Sequence, residues 1–261
     1  MENNILSQIK NLPPLPKSVI EVQKITSDPN SSIKDLVKVI KDDPMITANL
    51  LKAANSPLYG FTRQIKTVDQ AVSLFGMNTV KGFVISFAIR NTLKFDLSAY
   101  GISEARFHDV ANKRNAIAIN WYKKERSKLD IIATDSFLID LGAVVISLYL
   151  ISKGEAESFR SKLTPQNRYE LEKEYTGFTT PQITAEIFKH WHFSEDLISP
   201  IENIDNPNDE YSKVMDVLRT LVDLLDSDNE ENIQKGIKKA QDYGLNVEAL
   251  KEAINIVKEQ Q

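Results

Sequence analysis

The sequence predicts an all-α fold. Glycine is scarce, with 9 residues in a chain of 261. Apolar residues recur mostly at intervals of three and four, which is the spacing of one helix face. The alternation of apolar and polar residues that is typical of β-hairpins does not stand out. With 42% hydrophobic and 26% charged residues, the chain is long enough to bury a sizeable core, as one large domain or two small ones.

Prolines and capping residues set the predicted helix boundaries in the first ninety residues. A helix ends before a proline, and a proline suits the first turn of the next helix. Serine, threonine and aspartate cap helix N-termini, and a glutamine three residues later completes a capping box. The predicted helices cover 4–10, a segment from Pro16, one capped by Ser32 and Asp35, one from Asp43-Pro44 to Ala54, one capped by Thr67 and Gln70 and ending at Gly76, and 80–89.

The segment 80–89 is rich in β-branched residues and could be taken for a strand. We interpret it as a buried helix, because helices flank it and no partner strand is predicted. A long amphipathic helix is predicted over 104–125. Further helices are predicted over 134–152, 164–175, 180–192, 194–204 and 208–225, followed by two after Asn229 that separate at Tyr243-Gly244.

Composition excludes several classes of protein. The chain has no cysteine, so disulfides, thiolate nucleophiles and cysteine-ligated metals are excluded. The net charge is −4 and the basic residues are scattered among acids, which gives little support for nucleic-acid binding. Residues 1–6 lack the basic and apolar pattern of a secretory signal, so we expect a cytoplasmic protein.

One strongly apolar segment, 137–151, is interrupted by Asp140. It is shorter than the roughly 20 residues that a membrane-spanning helix needs. We therefore expect a buried core helix and no membrane insertion.

The candidate metal ligands are few. The three histidines are His108, His190 and His192, and the last two lie two positions apart, on different faces of a helix. A catalytic metal needs several imidazoles or carboxylates that converge on one point. We therefore expect no metal site, and we interpret His190 and His192 as residues near a helix C-terminus, where a partly cationic imidazole is favoured.

Asp140 is the single acid of its apolar run. A buried carboxylate is unfavourable unless a cation or hydrogen-bond donors lie beside it. Arg114 is the candidate partner, because a guanidinium can bind a carboxylate with two hydrogen bonds. A structural ion pair is favoured over a catalytic acid. Phosphate-binding glycine loops, nucleophile elbows and Cys/His pairs are not found, which favours a binding or scaffolding module over an enzyme.

Three segments together resemble the opening of the HDOD family of bacterial signal-transduction domains. They are LPPLP at 12–16, DDPMITANLLKAANSPLYG at 42–60 and QIKTVDQAVSLFG at 64–76. Weaker similarity continues to about residue 207. The resemblance implies an HD-domain-like multi-helical bundle with an N-terminal helical lobe. It also implies a division into an N-terminal lobe (1–97), a degenerate HD-like lobe (98–205) and a C-terminal helical extension (206–261).

The HDOD family is similar in fold to metal-dependent HD phosphohydrolases, but this sequence departs from their ligand pattern. The positions of the metal ligands fall on Ile139-Asp140, near Arg114 or Asn115, near Thr180, and near Ile204-Asp205. Of the H-D pair only the acid, Asp140, remains, so the resemblance implies no metal, no cofactor and no catalytic residue. The implied function is a non-catalytic output or adaptor module with a signalling protein as partner, and a nucleotide as a possible ligand.

The expected binding site is a cleft between the lobes. It would be lined by Asn55, Ser56, Tyr59, Arg114, Asp140 and Trp191. For Asn55, Ser56 and Trp191, an architectural role in helix capping or core packing is favoured over ligand contact.

Two rival functions stay open. One is a residual phosphohydrolase, with a metal held by Asp140, Asp205 and one histidine. The other is a nucleotide sensor without turnover, in which Arg114 and nearby lysines hold phosphates.

Overall fold

The structure is a computed structural model that describes residues 4–28, 30–59, 61, 63–227 and 229–260. Every regular element in these ranges is a helix, which confirms the all-α prediction. The helices are α1 Ile5–Lys10, α2 Lys17–Ser27, α3 Ile33–Lys41, α4 Pro44–Ala54, α5 Val68–Phe75, α6 Met77–Thr92, α7 Glu104–Trp121, α8 Leu129–Leu138, α9 Leu141–Lys153, α10 Ala156–Lys162, α11 Arg168–Thr176, α12 Thr180–His190, α13 Glu195–Glu202, α14 Glu210–Leu221, α15 Glu230–Asp242 and α16 Val247–Glu259, with 3₁₀ turns at Pro57–Tyr59 and Ser98–Tyr100. Gly60 of the predicted turn motif and residues 1–3, used to judge the secretory signal, lie outside the described residues.

The chain forms two compact units that interleave along the sequence. Unit 1 comprises Met1–Leu12, Lys94–Arg114 and Leu138–Val247, and unit 2 comprises Pro13–Leu93, Asn115–Phe137 and Glu248–Gln261. Helix α7 therefore contributes residues 104–114 to unit 1 and 115–121 to unit 2. The predicted division at residues 97 and 205 follows chain order instead, and it stays a prediction.

The predicted caps of unit 2 are confirmed. The Asp43 carboxylate accepts hydrogen bonds from the amides of Met45 and Ile46, at 3.0 and 3.1 Å. Thr67 and Gln70 form a capping box at the start of α5. Gly76 separates α5 from α6 with φ 83° and ψ 160°, a conformation essentially confined to glycine. These local signals explain why the boundaries in this segment could be predicted from sequence.

The core of unit 2 contains a group of aromatic rings. Tyr59 lies edge-on to Phe75 and Phe83, with ring centroids 5.2 and 5.6 Å apart. Phe83 also contacts Phe137 at 5.1 Å. Edge-to-face pairs of this kind stabilise a core beyond the apolar area that they bury.

Unit 1 contains a break that was not predicted. The expected helix over 134–152 is two helices, α8 and α9, interrupted at Ile139 and Asp140. The Thr184 hydroxyl bridges the break: it donates to the Ile139 carbonyl at 3.1 Å and accepts from the Gly142 amide at 2.8 Å. The backbone groups released by the break are thus partly satisfied by a side chain from α12.

Gly142 also allows α9 and α12 to approach closely. A Cβ at this position would lie 2.2 Å from the Thr180 carbonyl oxygen and 2.9 Å from the Thr184 amide nitrogen. Helix α10, which was not predicted, adds the fully buried Phe159 to the same unit. Its sequence, AESFRSK, carries one apolar aromatic residue and so gives a weak periodic signal.

The segment Leu129–Lys153, which contains α8 and α9, is long and apolar enough to cross a membrane. Helices α5 and α6, taken together as a bent pair, are also long and apolar enough. The apolar window of the first segment is 89% buried inside the structure. Core helices of soluble proteins can be equally long and apolar, so length and composition alone are weak evidence for a membrane span.

Candidate functional site

The candidate site is a buried cluster of charges in unit 1, centred on Asp140. One carboxylate oxygen of Asp140 accepts a hydrogen bond from Arg114, and the other accepts one from Arg168. The three side chains are at most 3% exposed. The predicted ion pair of Arg114 and Asp140 is confirmed, and Arg168 is a second partner that the sequence did not indicate.

The main-chain conformation at the break directs Asp140 to these arginines. Asp140 precedes the first residue of α9 with φ −97° and ψ 13°, and its side chain makes no capping hydrogen bond. Arg114 is fixed independently, since its Nε donates to the Val222 carbonyl oxygen at 2.7 Å. The guanidinium is therefore held from the segment after α14 as well as by the carboxylate.

Arg168 connects Asp140 to a second buried acid, Glu172. The Arg168 Nε donates to Glu172 Oε1 at 3.0 Å, one helical turn along α11. Glu172 also accepts from the Tyr100 hydroxyl at 2.9 Å and from the hydroxyl and amide of Thr180 at 2.7 and 2.5 Å. Four donors thus satisfy a carboxylate that is fully buried.

The two acids respond differently to this environment. Burial raises the pKa of Asp140, but Arg114 and Arg168 oppose burial and hold the pKa at about 2. Burial raises the pKa of Glu172, and Arg168 and Thr180 offset this only in part. Asp140 is accordingly an anion at neutral pH and is paired on both oxygens.

The described residues do not fit the metal that the HD-like fold implies. A hydrolytic metal needs carboxylates or imidazoles with lone pairs directed at one point. Both oxygens of Asp140 are bound by guanidinium groups. Throughout the described ranges, His, Asp and Glu side chains form no group of three that could hold a metal ion. No catalytic step through a metal can be derived from this arrangement.

The other positions of the degenerate ligand pattern, and two of the three histidines, also have polar partners. Thr180 donates two hydrogen bonds to Glu172. Asp205 accepts a hydrogen bond from Arg219 Nη1 at 2.7 Å. At the end of α12, His190 Nε2 lies 3.4 Å from the Leu12 carbonyl oxygen. His108 Nε2 lies 3.3 Å from Oε1 of Glu104, one helical turn earlier.

The remaining predicted site residues form local contacts within their own units. In unit 2, Asn55 donates to the carbonyls of Leu51 and Ile65 at 2.7 and 2.8 Å and accepts from the Ile65 amide at 2.8 Å. The Ser56 carbonyl accepts from the Tyr59 amide at 3.2 Å. Asn55 thus joins the end of α4 to the segment before α5.

Tyr59 and Trp191 are both buried. The Tyr59 hydroxyl donates to Asn115 Oδ1 at 3.0 Å in unit 2, and burial raises the pKa of this hydroxyl. Trp191 belongs to unit 1, where its ring lies beside that of Phe193, with the ring centroids 6.3 Å apart. These contacts are architectural. A shared binding cleft for the six predicted residues stays a prediction.

Unit 2 has a buried carboxyl of its own, at Asp135. The residue is fully buried, and neither carboxyl oxygen has a hydrogen-bond partner. Burial raises the pKa of Asp135 well above its usual value; Lys81 opposes this and Asp130 reinforces it. Lys81 is engaged only weakly, with its Nζ 3.7 Å from Asp130 Oδ1. Burial therefore favours the neutral form of Asp135 over its carboxylate.

Solved structures with a similar fold support the HD-domain-like architecture. One is a virulence factor (cj0248) from Campylobacter jejuni subsp. jejuni, 28% identical, with a TM-score of 0.58 and full coverage of both chains. A provisionally named phosphohydrolase from Shewanella amazonensis SB2B is 20% identical, with a TM-score of 0.69 and 98% coverage of both chains. A provisionally named signal transduction protein from Marinobacter aquaeolei VT8 is 19% identical, with a TM-score of 0.69, over 100% of this chain and 60% of that chain.

Sequence comparison identifies the family. An uncharacterized protein from Treponema pallidum (strain Nichols) is 25% identical over 91 residues, which are 35% of this chain and only 18% of that protein. The profile of a family described as HDOD domain matches residues 12–207. That match covers well over half of the chain, and the chain therefore belongs to the HDOD domain family.

Proposed function

We propose that this chain is a non-catalytic signal-transduction module that acts by binding a protein partner or a small ligand. Membership in the HDOD family supports a signalling role. The observation that carries the non-catalytic part of the proposal is the engagement of both Asp140 oxygens by buried arginines.

A metal at Asp140 would have to displace a guanidinium group or share the carboxylate with two of them. Arg114 and Arg168 are at most 2% exposed, so a displaced guanidinium would be a buried cation without its counter-ion. Breaking a buried ion pair in this way costs roughly 3–5 kcal/mol. The incoming metal would also be repelled by the two cations. The cluster therefore favours a structural role for Asp140.

The rival phosphohydrolase requires Asp140, Asp205 and one histidine to share a metal. Asp205 is paired with Arg219, and Asp140 with Arg114 and Arg168. The word phosphohydrolase is part of the name of the Shewanella protein. At 20% identity, the likeness to that protein shows a shared fold and not a shared activity.

Hydrolysis of bis(p-nitrophenyl) phosphate tests the proposal. The full chain is assayed with Mn²⁺, Fe²⁺ or Zn²⁺, beside Asp140→Asn and the surface variant Asp242→Asn as a matched control. We expect the same background rate from all three proteins. A metal-dependent rate that Asp140→Asn abolishes and Asp242→Asn retains would establish an enzyme and overturn the proposal.

A further inference from the structure

We propose that unit 1 carries a binding site for a small, soluble, phosphate-bearing ligand. The site is a cavity of about 310 Å³ next to α11, α14 and α15, with Tyr169, Arg219, Asp223 and Lys239 among its lining residues. This volume is at the lower end of the range for small-molecule pockets. The inference goes beyond the proposed function, because such a site would serve an adaptor or an enzyme equally.

The charged residues in the wall of the cavity are mainly basic. Among the described residues that line it, Arg219, Lys235 and Lys239 are basic and Asp223 alone is acidic. The carboxylate of Asp216 pairs with Arg219 and Lys239. It is only 2% exposed and is not a lining residue. A ligand in the cavity would therefore meet Arg219 and Lys239 rather than Asp216.

Arg219 is held in place before any ligand binds. Arg219 donates to Asp216 at 2.9 Å and to Asp205 at 2.7 Å. Its guanidinium also lies 5.0 Å from the centre of the Tyr169 ring, within cation–π range. A fixed guanidinium binds phosphate oxygens with less loss of side-chain freedom than a mobile one.

Arg168 supplies a second and independent indication. Its Nη1 is buried and has no hydrogen-bond partner. The same atom lies 3.8 Å from Oδ2 of Asp223, which lines the cavity. An unpaired buried donor is unfavourable, and a phosphate oxygen seated beside Asp223 could accept a hydrogen bond from it. Arg168 also binds Asp140, so a ligand in the cavity would also affect the buried charge cluster around Asp140.

Phosphate is the chemistry that best matches this wall. Three basic side chains can bind a multiply charged anion with several acceptor oxygens, whereas a single carboxylate would engage only one or two of them. A long polyanion is disfavoured, because the chain has a net charge of −4 and its basic residues are dispersed.

Calorimetric titration of the full chain with pyrophosphate tests the site. The informative variant is Lys235→Glu, and Lys238→Glu is its matched control. Both lysines lie on α15, both are more than half exposed, and each pairs with an acid one turn away; Lys238 does not line the cavity. We expect one saturable site in the wild type, about tenfold weaker binding in Lys235→Glu, and a change within about twofold in Lys238→Glu.

A second variant guards against an effect on folding. Gln166 is exposed and lines the cavity, and Gln166→Glu adds a negative charge with almost no change in shape. It should weaken pyrophosphate binding while the thermal unfolding midpoint stays close to that of the wild type. Absence of saturable binding to the wild type, or equal loss in Lys235→Glu and Lys238→Glu, would overturn the inference.

Discussion

Arg114 donates a hydrogen bond to Asp140 across 26 positions of the sequence, and both side chains are at most 3% exposed. The pair joins α7 to the break between α8 and α9. Arg168 binds the other oxygen of the same carboxylate. A charged group of this kind is stable in a protein interior only while its partners remain, and the predictions below follow from that dependence.

Asp140→Ala should destabilise the protein strongly. The substitution leaves two buried guanidinium groups without their counter-ion, and we expect the free energy of unfolding at neutral pH to fall by about 3–5 kcal/mol. Urea denaturation followed by circular dichroism measures the change. The control is Asp242→Ala, which removes an exposed ion pair and should change stability by less than about 0.5 kcal/mol. Equal effects of the two substitutions would contradict a structural role for Asp140.

The contribution of Asp140 should disappear in acid. Its pKa is about 2 in the folded protein against 3.8 for the isolated group. A group whose pKa is lower in the folded protein stabilises it at a pH above the unfolded-state pKa. This stabilisation is lost as the pH falls through the folded-state pKa. The stability difference between wild type and Asp140→Asn should therefore shrink by about 2 kcal/mol between pH 6 and pH 2. A difference that does not vary with pH would refute this.

Asp135→Asn should stabilise the protein at neutral pH. The pKa of Asp135 is higher in the folded protein than in the unfolded chain. Its stabilising contribution is therefore complete at a pH below the unfolded-state pKa and is lost as the pH rises through the folded-state pKa. Asparagine stays neutral, so we expect a gain of about 1–3 kcal/mol at high pH and little change near pH 3. Urea denaturation across the pH range measures the gain. The comparison is Asp130→Asn, which loses the contact with Lys81 and should bring no gain; a loss of stability in Asp135→Asn at high pH would contradict the account.

Gly142→Ala should cost far more than Gly236→Ala. The added methyl group at Gly142 would meet main-chain atoms of α12 at 2.2 and 2.9 Å, whereas at Gly236 it would meet the Leu221 side chain at 2.5 Å. Main chain in a packed helix pair cannot move aside as a side chain can, so we expect a loss of about 2–3 kcal/mol at Gly142. At Gly236 the gain in helix propensity, about 1 kcal/mol, offsets part of the strain. Thermal unfolding of both variants measures the order, and the reverse order would show that α9 and α12 do not pack so closely.

The sequence indicated the pair of Arg114 and Asp140 because a lone acid in an apolar run must have a partner. It did not indicate Arg168, which stands in the polar segment PQNRYELEKE, where apolar spacing gives no sign of burial. Its burial depends on residues distant in sequence, among them Tyr100 and Asp223.

The break at Ile139 and Asp140 has the same explanation. Residues 134–152 are continuously helical by local pattern, and the hydroxyl that bridges the break comes from Thr184, 42 positions after Gly142. The capping residues Asp43 and Thr67, by contrast, act on their own helices. They could be predicted because all of the interacting groups lie within a few residues.

Elemental analysis of the purified full chain tests the central claim most directly. The protein is incubated with manganese, iron and zinc near neutral pH, desalted, and measured by inductively coupled plasma mass spectrometry. We predict far less than one equivalent of any of these metals, because the arginines occupy both oxygens of Asp140. Retention of about one equivalent that Asp140→Asn releases and Asp242→Asn keeps would show a metal centre and would contradict the claim that the module is non-catalytic.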